Sequence, residues 1–186
     1  MPHQLERLAD GGTAFATARV PAWHQLGTVT ADCMSAAEVI TTARLGGWNV
    51  RKIALAGIDP AAPAGSRGSV ADPIPVPDKR MTVRTNPVTG GTDYLGVVGR
   101  DYVPVQNEAC ADLLDLLVDA SGAHHETAGS LRGGRQVFIT MRLPDGVRIA
   151  GIDDLDIYLA LTTSHDGSTA LRVDATPVRV VCARED

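Results

Sequence analysis

The chain has 186 residues, 44% of them hydrophobic, and a formal net charge of −5. That apolar share is enough for one ordinary domain with its own core, and it excludes a disordered chain. The negative balance excludes a generally basic nucleic-acid binder but leaves room for a local basic face.

Residues 1–29 read as an irregular N-terminal arm, and residues 30–186 as a single α+β domain. In the arm, Trp23 and Leu26 of the run PAWHQLG are placed to pin it onto the domain, and His24 is either a half-buried neighbour of Trp23 or a ligand or base. Ser35 and Glu38 stand in capping-box spacing, which predicts a helix from 35 to 45 with Ala36, Val39, Ile40 and Ala43 on its apolar face. Gly46-Gly47 should end it, with a strand from Trp48 to Ala54. The stretch at about 57–78 carries five prolines, which lack the N–H that a ladder needs, and reads as a long loop.

Lys79 to Thr85 alternates and Tyr94 to Val98 returns after the turn cluster 86–91, which predicts a hairpin. Asn107 is a suitable N-cap for a helix whose stripe is Cys110, Leu113, Leu114 and Leu117. Its other face holds Glu108, Asp112, Asp115 and Asp119, which would repel phosphates. A Gly- and Arg-rich loop, 126–135, follows. Then comes a strand from Gln136 to Leu143, with Val137, Ile139, Met141 and Leu143 inward and Phe138, Thr140 and Arg142 outward. A turn at 144–146, a short return at 147–149 and a last hairpin around His165-Asp166-Gly167-Ser168 complete the chain. The expected fold is a mostly antiparallel sheet of about six or seven strands with two main helices.

The run GSLRGGR at 129–135 is not a phosphate loop of the nucleotide-binding kind, because no Lys-Ser/Thr pair and no helix follow it. It is either a tight connection or a place where Arg132 and Arg135 fork onto a phosphate. No histidine pair has the helical spacing of a zinc site, no nucleophile–base pair is legible, and no cofactor or metal is expected. The three cysteines are odd in number and read as small buried residues of a reducing compartment. With no leader pattern and no apolar run of membrane length, the expectation is a soluble cytoplasmic protein with no membrane partner.

Four ordered blocks carry a resemblance: PAWHQLGTV at 21–29, YLGVVGRDYVPVQNEA at 94–109, ETAGSLRGGRQVF at 126–138 and TSHDGSTALRVDATPVRVVC at 163–182. They resemble the phage- and plasmid-related "domain of unknown function 932" family. The resemblance implies a mobile-element or prophage setting in a bacterial cell and no established catalytic set. It also implies that a helical C-terminal portion usual in the family is absent here. The order hairpin, helix, strand is similar to the core of single-strand annealing recombinases, which is an analogy of fold.

The leading functional expectation is a protein that binds, and as an oligomer anneals, single-stranded DNA. Arg80, Arg84, Arg132, Arg135 and Arg142 would contact phosphates and Phe138 would stack on a base. The alternative is a non-catalytic module that binds a host or phage protein. A further alternative is a metal-assisted hydrolase using His24, His165 and Asp166.

Overall fold

A computed structural model describes residues 4–60, 72–118, 124–144, 147–149 and 153–179. Among them are ten strands and two helices, an α+β fold. The larger sheet runs in the order β10 (Arg172–Arg179), β9 (Asp153–Ser164), β7 (Gln136–Arg142), β6 (His124–Leu131), β1 (Phe15–Ala18), β2 (Thr28–Thr30), and β8 (Val147–Ile149) also pairs with β9. A smaller sheet has the order β3 (Arg51–Gly57), β4 (Ile74–Thr85), β5 (Thr92–Gly99). Among the described residues only the β1–β2 pair is parallel.

Register explains which face is buried. Ala16, Ala128, Ile139, Leu161 and Val173 are successive cross-strand partners over five strands. Four of them are fully buried, and helices α1 (Ala36–Thr42) and α2 (Asn107–Val118) pack over this row through Val39, Ile40, Ala43, Cys110, Ala111 and Leu114. Because side chains alternate along a strand, the next residues face the other way. Phe15, Gly129, Phe138, Thr162 and Arg172 form one row there, and Thr17, Thr127, Thr140, Ala160 and Asp174 the next. The expected alternation of β7 is therefore what sorts the two faces: Val137, Ile139 and Met141 are buried, while Phe138, Thr140 and Arg142 are partly exposed.

Helix α1 has the capping box expected of it, with Glu38 N–H on the Ser35 side chain and the Glu38 carboxylate on Ser35 N–H. It stops at Thr42, earlier than Gly46, and Arg44 already takes a left-handed φ of 57°. Trp48 is fully buried before β3 begins at Arg51. The β4–β5 hairpin forms as expected.

Three expectations are corrected. The N-terminal arm is not irregular, since β1 lies inside the larger sheet between β6 and β2. The Pro-rich loop is shorter than 57–78, because Ile74, Pro75, Val76 and Pro77 belong to β4. This stretch lies beyond the end of β5, which reaches only to Gly99 opposite Lys79, so it pairs with β3 alone and missing N–H groups cost less there. The span 126–135 is mostly strand β6, and only 132–135 turns. The other residues of the Pro-rich stretch (61–71), Asp119, Gly122, the turn residues 145–146 and Cys182 lie outside the described residues.

Candidate nucleic-acid interface

The face of the larger sheet turned away from both helices carries the aromatic and threonine rows. Gly129 stands between Phe15 and Phe138, and a Cβ on it would come within 3.0 Å of both rings. Its lack of a side chain lets the rings approach to 6.3 Å between centroids. Segment 19–27 folds over the edge of this face. His24 meets the Phe15 ring edge-on at 4.9 Å, and Trp23 meets His24 at 5.5 Å. Gly27, at φ +85°, lies so close that a Cβ would sit 2.4 Å from the Phe15 carbonyl oxygen. The result is a row Trp23–His24–Phe15–Phe138, with Trp23 82% exposed at its outer end. The arm is thus pinned by His24 and Gly27, while Trp23 projects outward.

A third row on the same face is His124, Arg142, Tyr158 and Thr176. Arg142 donates through Nη2 to Asp156 Oδ1 at 2.7 Å, and this bond raises its pKa further. Arg19 pairs with Glu126, whose other oxygen accepts from the Tyr158 hydroxyl at 2.9 Å. Sequence reasoning missed Arg19, Glu126 and Tyr158. A β-bulge at Glu126 and a left-handed φ of 63° at Arg19 bring them together, and neither has a sequence signature.

The predicted cationic residues do not share one face, which corrects the expectation of a single basic surface. Arg84 is buried at 2% exposure. It is forked onto Glu6, bonded through Nε to Asp93 Oδ2 at 3.1 Å, and its guanidinium carbon lies 4.1 Å from the Trp48 ring centroid. Burial alone would lower its pKa, but the two carboxylates outweigh that and raise it. Such a group cannot reach a phosphate. Arg80 donates to the carbonyls of Pro77 and Lys79 on the smaller sheet. Arg132 and Arg135 are exposed at the β6–β7 turn, the first bonded to Gln4 Oε1 at 2.7 Å and the second over the Tyr94 ring. Only Phe138 and Arg142 come together with Trp23 and His24 on the open face.

The hydrolase constellation does not assemble. His24 Nδ1 accepts the Leu26 N–H at 3.1 Å on the open face. His165 is fully buried on the helix side beside Trp48. Its Nε2 is 2.9 Å from Asn107 Oδ1, and since the Asn107 amide nitrogen donates to Leu45 O, that oxygen must accept and Nε2 must carry the proton. Burial, with a smaller push from Arg84, lowers the His165 pKa to about 4. The Asn107 side chain is therefore not the helix cap expected of it. Asp166 takes the Ser168 N–H in the β9–β10 turn. Among the described residues no cluster of His, Cys, Asp or Glu could hold a metal ion. Cys110 is buried, and burial with Glu108 nearby pushes its thiol up to about 11, so it is unreactive.

Among the described residues no helix is long and apolar enough to cross a membrane. No curated protein and no solved structure matches the chain. The first resembling block, 21–29, lies outside the part that a family model matches, and the other three lie within it. Residues 94–184, a segment that begins inside β5 and takes in α2 and β6 to β10, match the family described as Domain of unknown function (DUF932).

Proposed function

We propose that the open face of the larger sheet binds a short stretch of single-stranded nucleic acid. The carrying observation is that Phe138, in the middle of β7, lies between cations at both ends of that strand, Arg132 and Arg135 before it and Arg142 at its end. Seven residues of strand span roughly 20 Å, room for a few stacked nucleotides. The threonine row beside Phe138 offers hydroxyls, and the exposed acids Glu108, Asp112 and Asp115 of α2 lie behind the sheet where they would not oppose a phosphate chain. Arg84 has no part in it. A fluorescence-anisotropy titration with a labelled oligonucleotide at low salt tests this. Binding should weaken with salt and with Phe138→Ala, and no binding, or binding indifferent to Phe138→Ala, Arg142→Ala and Arg132→Ala with Arg135→Ala, rejects it.

A second reading, docking of a protein, is favoured by the edge of the same sheet. Trp23, Val20 and Val29 are exposed at 82%, 69% and 43% beside the edge strand β2. Exposed aromatic anchors of this kind are typical binding determinants. Cross-linking in cells, with Trp23→Ala as the control, discriminates it from the first.

A further inference from the structure

We infer that the recess where the third row ends is a binding site for a compact phosphate group, independent of whether the rest of the face binds nucleic acid. The recess is about 170 Å³ and is lined by Arg19, Cys33, His124, Arg142, Leu143 and Pro144. Its residues come from separate parts of the chain that reach one end of the sheet. His124 opens β6 and is the cross-strand partner of Arg142, which closes β7. Arg19 follows β1, and Cys33 follows β2.

Two features make this a prepared site for an anion. Each guanidinium is held by a carboxylate through Nη2, Arg142 by Asp156 and Arg19 by Glu126, so each plane is fixed before a ligand arrives. Glu126 is itself fixed by Tyr158. A guanidinium has five N–H donors, and a bond through one nitrogen leaves others directed elsewhere. Two pre-oriented forks, from β7 and from the end of β1 with β6 between them, match a tetrahedral anion better than two flexible lysines would. The two carboxylates also balance the charge of an empty site, so the arginines need no counter-ion to remain close. Leu143 and Pro144 supply an apolar wall, and the size of the recess suits one phosphate rather than a chain.

Backbone resonances followed by ¹H–¹⁵N spectroscopy during titration of the whole protein with inorganic phosphate in low-salt buffer test the site. Saturable shifts confined to Arg19, Cys33, His124, Arg142 and Leu143 are expected. Shifts that do not saturate, or that centre on the Arg132–Arg135 turn, overturn it. Arg142→Lys keeps the charge but loses the fork and should weaken phosphate about tenfold. Unchanged affinity in a folded Arg142→Lys protein also overturns the site, and if that variant does not fold the wild-type map alone decides. A 5′-phosphorylated oligonucleotide, a nucleoside monophosphate and their dephosphorylated forms then identify the source. A preference for the phosphorylated member of either pair supports the site, and no preference in both pairs counts against it.

Discussion

Arg84 and Glu6, 78 residues apart, form a buried two-point ion pair that fastens the N-terminal segment to the β4–β5 hairpin. Ser130 Oγ donates to the same carboxylate at 2.6 Å, and Asp93, itself held by Asn86, accepts from the adjacent Nε–Nη2 edge of the guanidinium. Gly134 has no side chain at the point where one would strike Arg84. Removing one partner leaves the other charge buried without compensation. Arg84→Ala and Glu6→Ala should each lower stability by about 3–5 kcal/mol in urea denaturation. Arg84→Lys should not restore it, because an ammonium cannot replace the fork.

His165 makes stability depend on pH. Its folded pKa of about 4 is below the ordinary value of 6.5, because burial opposes its charge. The unfolded chain therefore binds this proton first. The contribution of neutral His165 is complete above 6.5, shrinks as pH falls from 6.5 towards 4, and amounts to roughly 3 kcal/mol over that window. His125, also lowered by burial, acts in the same direction. Asp166 and Glu38 have pKa values below the ordinary 3.8 and 4.5, so their contributions disappear at lower pH still. Urea midpoints at pH 7.5 and 4.5 should differ strongly in the wild type and much less in His165→Gln.

Phe138 should matter more to oligonucleotide binding than to folding, because it is only partly buried. Phe138→Ala should cost about 1–3 kcal/mol of binding in the anisotropy titration. Gly129→Val should weaken binding with Phe138 left unsubstituted, since its Cβ would displace the Phe15 and Phe138 rings. Near-ultraviolet circular dichroism checks that both variants remain folded.

Gly27 should be intolerant of any side chain. Alanine there meets the left-handed φ of +85° and the Phe15 carbonyl together. The expected result is detachment of segment 19–27, at a cost of about 1–3 kcal/mol, read as faster cleavage near Trp23 in limited proteolysis.

Much of the fold was legible locally. The capping box of α1, the alternation of β7 and the turn before β10 are short-range signals, and each is present. Strand β1 was not legible, because Phe-Ala-Thr-Ala is too short and too weakly patterned to announce a central strand; its neighbours β2 and β6 decide it. Strand β6 has a loop-like sequence because Gly129 looks like a turn residue, whereas here it makes room for two rings. The burial of Arg84 was the least legible feature of the chain. Alternation along β4 sets Arg84 opposite Met81 and Val83, and the partner that buries it, Glu6, is too distant in sequence for any local pattern to reveal. Arg142 and Phe138 were found because strand period alone places them, while Arg19 and Tyr158 depend on pairings between strands far apart in the chain.

The position of β1 between β2 and β6 has a consequence for how the protein is made. Phe15 is synthesised more than a hundred residues before its antiparallel partner Gly129. Until then the seam of the larger sheet stands open, with Ala16 and Phe15 facing water. Assembly of this domain is therefore governed by contacts of high sequence separation and should be slow, with a vulnerable intermediate for chaperones to guard.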